Sequence, residues 1–97
     1  MRRTIVRYKV KLDRVAEHEA LIQAVFAELA TSQPAGLRYG AFKQGDGVSF
    51  VHFAIVEGDT NPLDSVAAFK AFGANIKDRC DEPPVVTQLQ GVGTYGL

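Results

Sequence analysis

The segment Val48-Ser49-Phe50-Val51-His52-Phe53-Ala54-Ile55-Val56 decides the fold, because it predicts a strand that is apolar on both sides. Successive side chains of a strand point to opposite faces. One row therefore holds Phe50, His52 and Ala54, and the other holds Val51, Phe53 and Ile55. A strand with one face in water would alternate apolar residues with polar ones. We therefore expect this strand, which runs from Val48 to Glu57, to be covered on both faces.

The flanking sequence predicts three further strands. They show period-two alternation or β-branched residues, and they run over Thr4 to Leu12, Leu37 to Lys43 and Val85 to Val92. The second and third strands of the chain are joined by Gln44-Gly45-Asp46-Gly47, whose glycines favour a tight hairpin. The glycine-rich tail from Gly91 to Leu97 is expected to be irregular.

Two helices are predicted between these strands. Apolar residues at helical spacing indicate a helix from about Arg14 to Thr31, with Asp13 as its N-cap. A second helix begins at Asn61-Pro62, with the asparagine as cap, and runs to about Cys80. Its apolar sector excludes Leu63, so a break is expected before Ser65. The sequence Glu82-Pro83-Pro84 is expected to end this helix.

The resulting order βαββαβ indicates a ferredoxin-like α+β domain that spans residues 1–97, with an antiparallel sheet and two helices on one face. The other face then carries the apolar row that contains Val51, Phe53 and Ile55, and such a patch needs cover. A second copy of the sheet, related by a two-fold axis, would cover it, which predicts a homodimer through the open sheet face. Arg7, Lys9 and Lys11 fall on the same face and oppose a purely apolar interface unless they are paired or lie at its edge.

Composition restricts the class of partner. The 97 residues are 46% apolar and carry 11 basic and 11 acidic side chains, so the chain has no cation excess for nucleic acid. One cysteine allows no internal disulfide and suggests no metal cluster. No signal-peptide-like stretch or apolar run of ~20 residues is present, which predicts a cytoplasmic protein without a membrane segment.

His52 is the first candidate catalytic residue, because a neutral imidazole among apolar neighbours is suited to act as a general base. The alternative is a buried histidine that a backbone carbonyl satisfies. Tyr8 shares the apolar side of the first strand and could lend its hydroxyl to the same cleft, or simply pack in the core. His18, on the apolar side of the first helix, could converge with His52. Arg38 and Tyr39 open the second strand on opposite faces, and one of them could meet a ligand anion.

Four segments carry a resemblance to a known family over almost the whole chain. They are Pro34–Tyr39, Ser49–Phe53, Ser65–Phe72 and Glu82–Val86. Their order and patterns resemble the antibiotic biosynthesis monooxygenase-like proteins of the dimeric α+β barrel superfamily. That family includes cofactor-independent quinone-forming monooxygenases and haem-degrading enzymes. It often carries a Trp near the position of Val56 and a His at the position of Ala68, so the resemblance implies no haem ligand here, and no cofactor is expected.

Two functions follow from this resemblance and from the candidate residues. One is a small dimeric monooxygenase that acts without a cofactor on a hydrophobic or aromatic molecule, with His52 as base and Tyr8 as hydrogen-bond donor. The other is a non-catalytic dimeric module, either small-molecule-binding or stress-related, in which the family site is lost. An open cleft lined by His52 and Tyr8 would favour the enzyme, and a filled one would favour the module.

Overall fold

The predicted order of strands and helices is confirmed in the fold, a computed structural model that describes all 97 residues. The strands are β1 (Arg2–Val10), β2 (Leu37–Lys43), β3 (Ser49–Val56) and β4 (Cys80–Leu89). The helices are α1 (Val15–Ser32), α2 (Ala67–Gly73) and α3 (Ile76–Arg79), and 3-10 turns cover Leu12–Arg14 and Pro62–Ser65. No helix is both long enough and apolar enough to cross a membrane.

The four strands form one antiparallel sheet in the order β2-β3-β1-β4. This order places β1 and β3 at the centre, where Tyr8 lies opposite Phe50 and Val6 lies opposite His52. Both helical layers pack on the face that carries these residues, as the core cluster of Tyr8, Phe50, Val25 and Phe72 shows. The ferredoxin-like α+β fold and the predicted sides of β1 and β3 are therefore confirmed.

The second helical region is interrupted twice, once close to the break expected near Ser65 and once where the sequence predicts none. Its start agrees, because the Asn61 side chain accepts a hydrogen bond from the Leu63 amide at 3.0 Å and Pro62 takes the first position. The turn ends at Ser65, and α2 follows it. A second interruption lies at Asn75, whose backbone is left-handed with φ of 59°. Asparagine tolerates this conformation better than most residues, which explains why α2 and α3 separate there.

Two predicted boundaries are wrong for reasons of tertiary context. Asp13 does not cap α1, because it lies in the preceding 3-10 turn and Arg14 takes the cap position without a side-chain hydrogen bond. The last strand begins at Cys80 rather than Val85, and it includes Pro83 and Pro84. Because β4 is an edge strand with a shifted register beside Lys9, the missing proline amides break no ladder that the sheet needs.

The face of the sheet away from the helices carries a mixed, largely apolar surface. Its members, by register, include Ile5, Arg7, Phe42, Val51, Phe53 and Val85. Phe42 and Val85 are 62% and 64% exposed. The Phe42 ring lies over Gly40, where any Cβ would meet it at 2.8 Å. Near one end of the face, Thr94 and Leu97 of the tail share a hollow with Ile55.

A long-range cap holds α2 against α1. The Glu28 carboxylate accepts hydrogen bonds from the Ala67 and Ala68 amides at 3.2 and 2.9 Å, which satisfies two free donors at the start of α2. A negative charge at a helix N-terminus adds a favourable dipole interaction.

Replacement of Glu28 with Ala is expected to lower the free energy of unfolding by about 1 kcal/mol, the usual contribution of a helix cap. Urea denaturation would measure the change. Gln23→Ala is the matched control, because Gln23 is an exposed polar residue of the same helix. Equal stabilities for the two variants would contradict a capping role for Glu28.

Candidate functional site

A cavity of about 290 Å³ lies between the helix-facing side of the sheet and the segment that runs from Asn61 to Ile76. Its walls are mostly apolar and include Val56, Leu63, Phe69 and Phe72. Val86 of β4 also lines it and is 63% exposed, which places the opening beside the edge strand. Since benzene fills a cavity of roughly 150 Å³, this space suits a body of about two fused rings.

One wall of the cavity is polar and consists of Tyr8, Tyr39 and His52. The Tyr8 hydroxyl lies 2.6 Å from His52 Nε2, and the Tyr39 hydroxyl lies 2.6 Å from His52 Nδ1. The same Tyr8 hydroxyl also lies 2.6 Å from His18 Nε2. Residues from β1, β2, β3 and α1 therefore form one connected hydrogen-bonded chain, because each of these elements directs its side chain into the protein interior.

Arg79 ends this chain on the side away from the cavity. Its Nε donates to His18 Nδ1 at 3.1 Å, and its terminal nitrogens donate to the carbonyls of Ala74 and Phe72. The residue is only 3% exposed, and neither of the two ion pairs of the chain includes it. A buried guanidinium is thus held by an imidazole and by carbonyls at the end of α2, where the helix dipole favours a cation.

The Arg79 contact determines the protonation of His18. Guanidinium nitrogens only donate, so His18 Nδ1 must accept and carry no proton. A neutral His18 then bears its proton on Nε2 and donates it to the Tyr8 oxygen. The direction of the first two hydrogen bonds follows from this one constraint.

Burial keeps the four side chains that follow Arg79 in the hydrogen-bonded chain, His18, Tyr8, His52 and Tyr39, uncharged. Desolvation, followed by the charge of Arg79, lowers the pKa of His18 to about 4. Desolvation, followed by repulsion from His18, lowers the pKa of His52 to about 4. Burial raises the pKa of both Tyr8 and Tyr39 above the ordinary range for tyrosine. The chain is therefore a neutral donor–acceptor network at neutral pH.

The structure brings the predicted candidates His52 and Tyr8 into direct contact, and it links His18 to them through Tyr8. Tyr39 could be placed on the interior side from the alternation of β2. Arg79 had no signal in the sequence, because a charged residue near a predicted helix end is normally exposed. Arg38, the other candidate on β2, is exposed and lines a hollow on the opposite face.

The residues that line the cavity offer no haem or metal ligand set beyond these histidines. Ala68, at the position where the resembling family often carries His, is partly buried against the core and has no ligating atom. No group of three or more His, Cys, Asp or Glu side chains lies together in the chain. The polar groups that line the cavity are the hydroxyls of Tyr8, Tyr39 and Thr4, the His52 imidazole, and the side chains of Arg2 and Asn61.

Stability should fall as the pH drops from 6.5 towards 4. An unfolded histidine takes up a proton near pH 6.5, whereas His18 and His52 in the folded chain resist protonation until about 4. The unfolded state therefore binds more protons in this window, and the free energy of unfolding decreases by up to about 1.4 kcal/mol per pH unit for each histidine.

Urea denaturation between pH 7.5 and 5 would measure this slope before most carboxylates titrate. The His52→Gln variant should lose about half of it, since one of the two histidines is removed. Stability independent of pH over this range would contradict a neutral, buried pair.

Comparison with known proteins tests the fold. No family model matches the chain, and no curated protein matches it in sequence. Solved structures do match. A putative antibiotic biosynthesis monooxygenase from Nitrosomonas europaea superposes with a TM-score of 0.77 at 17% identity, over 96% of this chain and 100% of that one. Another from Caulobacter crescentus gives 0.71 at 23% identity, over 95% and 90%.

A third similar structure is a variant of SnoaB, a cofactor-independent oxygenase from Streptomyces nogalater. Its TM-score is 0.68 at 16% identity, and the match covers 99% of this chain and 97% of that one. Identities this low establish architecture and leave the reaction open. The chain therefore has the fold of the antibiotic biosynthesis monooxygenase-like proteins, as its sequence resemblance predicts.

Proposed function

We propose that the chain is an enzyme that acts without a cofactor on a hydrophobic, aromatic-sized molecule held in the 290 Å³ cavity. The observation that carries this proposal is the polar wall of Tyr8, Tyr39 and His52 in a cavity that is mostly apolar, with Arg2, Thr4 and Asn61 as the other polar residues that line it. Small-molecule sites combine these two features, an apolar body and a few convergent polar groups. The similarity to a cofactor-independent oxygenase supports the reaction class by analogy.

The proposed reaction begins with loss of an acidic proton from the substrate. The resulting carbanion or enolate is electron-rich enough to reduce O₂, and the oxygenated intermediate collapses. For a CH₂ group, one O₂ molecule yields a carbonyl group and one water molecule, so no external reductant is consumed. The protein binds the substrate, stabilises its anion and keeps competing water out of the cavity.

His52 and Tyr8 are the proposed functional pair at the polar wall. As a general base, His52 would have to receive the proton at a nitrogen that now faces a tyrosine hydroxyl, because both ring nitrogens have a partner at 2.6 Å. A substrate hydroxyl would have to displace the tyrosine that faces the unprotonated ring nitrogen and donate to that nitrogen. Tyr8 is the proposed hydrogen-bond donor beside the ring.

Removal of the His52 imidazole should lower turnover by about 10²- to 10⁴-fold, the usual contribution of a general acid–base group. The measurement is oxygen consumption and product formation with a panel of hydroxyaromatic substrates of one or two fused rings that carry an acidic CH₂ group. His52→Gln and Tyr8→Phe are the informative variants, since both preserve size. Tyr95→Phe is the matched control, because Tyr95 is fully exposed in the tail. Unchanged turnover in His52→Gln would remove His52 from the chemistry.

A non-catalytic binding module is the second candidate. The observation that favours it is that His18, Tyr8 and His52 already satisfy one another without a ligand. In that case, aromatic ligands would bind in the cavity and would be released without being oxidised in the presence of O₂. Ligand binding without oxygen consumption across the whole substrate panel would decide for this alternative.

We further propose that the open sheet face pairs with a second copy of the chain. The face is mainly apolar, and two of its members, Phe42 and Val85, are more than half exposed. Monomers rarely leave such a contiguous surface in water. The net charge is zero, so long-range repulsion does not oppose association of identical chains. Arg7 lies within the face beside Val85, where an acidic or carbonyl acceptor of the second copy would have to meet it.

Val85→Lys should shift the protein from dimer to monomer in sedimentation equilibrium, because it places a second cation beside Arg7 in the proposed interface. Its fold should survive, since Val85 is 64% exposed in the single chain. Val92→Lys makes the same chemical change in the fully exposed tail and should leave the mass unchanged. A monomeric wild-type protein at micromolar concentration would contradict the dimer.

A further inference from the structure

The hydrogen-bonded chain of side chains contains one polar proton more than it has hydrogen bonds to place it in. Beyond Arg79, three hydrogen bonds link His18, Tyr8, His52 and Tyr39. Each of these four neutral side chains carries one mobile polar proton. Three protons can be shared along the contacts, so the fourth must point away from the chain.

Two arrangements differ in where this fourth proton lies. In the first, Tyr8 donates to His52 Nε2, His52 donates from Nδ1 to Tyr39, and the Tyr39 proton is left over. In the second, His52 donates from Nε2 to Tyr8, Tyr39 donates to Nδ1, and the Tyr8 proton is left over. Both leave the His18-to-Tyr8 bond in the direction that Arg79 requires.

Burial decides between the two arrangements. Tyr8 is only 5% exposed, and both neighbours of its oxygen would be donors in the second arrangement. A buried hydroxyl proton without an acceptor is strongly disfavoured. Tyr39 is less buried, lines the cavity and has no hydrogen-bond partner other than His52. Its proton can therefore meet water or a ligand.

We propose that Arg79 is a positioning residue that sets the direction of the whole chain, so that Tyr39 presents its hydroxyl proton to the cavity and donates it to an acceptor oxygen of the ligand. The order of donation is Arg79, His18, Tyr8, His52 and Tyr39. The proposal rests on the proposed function only in that a ligand occupies this cavity.

The direction selects the chemical form of the ligand oxygen. The Tyr39 hydroxyl, as a donor, forms a hydrogen bond with a carbonyl or an anionic oxygen of the ligand. It forms none with a ligand hydroxyl that must itself donate. A hydrogen bond to an ionised oxygen is roughly twice as strong as one to a neutral oxygen. Aligned donors also polarise one another in a low-dielectric interior, and the positive charge of Arg79 lies at the far end. The site should therefore prefer the deprotonated form of an acidic ligand. The exposed Arg2 also lines the cavity and would favour an anion, so the Tyr39 variant has to separate the two contributions.

The tautomers of the two histidines test the direction without any ligand. The chain has only His18 and His52, so long-range ¹H–¹⁵N spectra of histidine-labelled protein contain two imidazoles. We expect His18 to carry its proton on Nε2 and His52 to carry its proton on Nδ1. An Nε2 proton on His52, or an Nδ1 proton on His18, would overturn the proposal.

Variants at position 79 test whether Arg79 sets the tautomer of His18 or only stabilises the fold. In Arg79→Gln, a side chain that both donates and accepts replaces one that only donates, so the single-tautomer pattern of His18 should be lost. Arg79→Lys retains a donor-only group and should restore it. Arg38→Gln is the matched control, because Arg38 is exposed on the other face of the sheet. If Arg79→Gln fails to fold, the wild-type and Arg79→Lys spectra still decide the direction.

A chromophoric phenol tests the role of Tyr39. The ionised and neutral forms of 4-nitrophenol absorb differently, so a pH titration of the bound dye gives the ratio of their affinities. We expect wild-type protein to bind nitrophenolate about ten- to a hundredfold more tightly than nitrophenol, the range for one hydrogen bond to a charged group. Tyr39→Phe should lose this preference, and Tyr95→Phe should keep it.

The outcomes separate this inference from the proposed function. Retention of the preference in Tyr39→Phe would overturn the assignment of Tyr39 as the donor. No binding of the dye to wild-type protein would overturn the ligand contact together with the proposed function. The predicted tautomers and dye preference, found with no turnover of any substrate, would uphold the inference and leave only the catalytic proposal refuted.

Discussion

The contact on which the rest of the site depends is the Tyr8 hydroxyl, which lies 2.6 Å from an imidazole nitrogen on either side. His18 is wholly inaccessible to solvent and His52 nearly so, and each would lose stability if its ring nitrogens lacked partners. One hydroxyl meets this need for both rings because it donates and accepts. The strand β1 is thereby tied to α1 and to β3 at a single point inside a thin apolar core.

Arg79 completes this arrangement because the second helical region is broken. α2 ends at Gly73, where Ala74 is extended and Asn75 is left-handed, and the carbonyls of Phe72 and Ala74 then accept from the guanidinium. A continuous helix would use such carbonyls for its own hydrogen bonds. The interruption thus places the Arg79 guanidinium beside His18. The irregular backbone supplies the carbonyl acceptors that hold this cation at the end of the hydrogen-bonded chain.

The sequence predicts those features that depend on local periodicity. Alternation placed Tyr8 and His52 on the interior side, and the asparagine–proline pair marked the start at Asn61. The start of the last strand was predicted wrongly because of Pro83 and Pro84. A strand tolerates these prolines when it lies at the edge of a sheet, and only the assembled sheet shows that β4 does. The burial of Arg79 was likewise beyond local pattern, since its acceptors come from α1 and from the end of α2.

This chain differs at two positions from the family that it resembles, and neither position supplies a polar group to the cavity. Val56, near the position where that family often carries Trp, forms part of the apolar wall, and Ala68 offers only a methyl group. The helix therefore contributes no polar side chain from that position, and apart from Asn61 the polar groups at the cavity come from β1, β2 and β3. Tyr8 and His52 lie on β1 and β3, which have a ladder on both sides, and Tyr39 lies on the edge strand β2, which pairs with β3. Rigid hydroxyl and imidazole groups suit the recognition of an oxygen atom at a fixed position, which binding and catalysis both require.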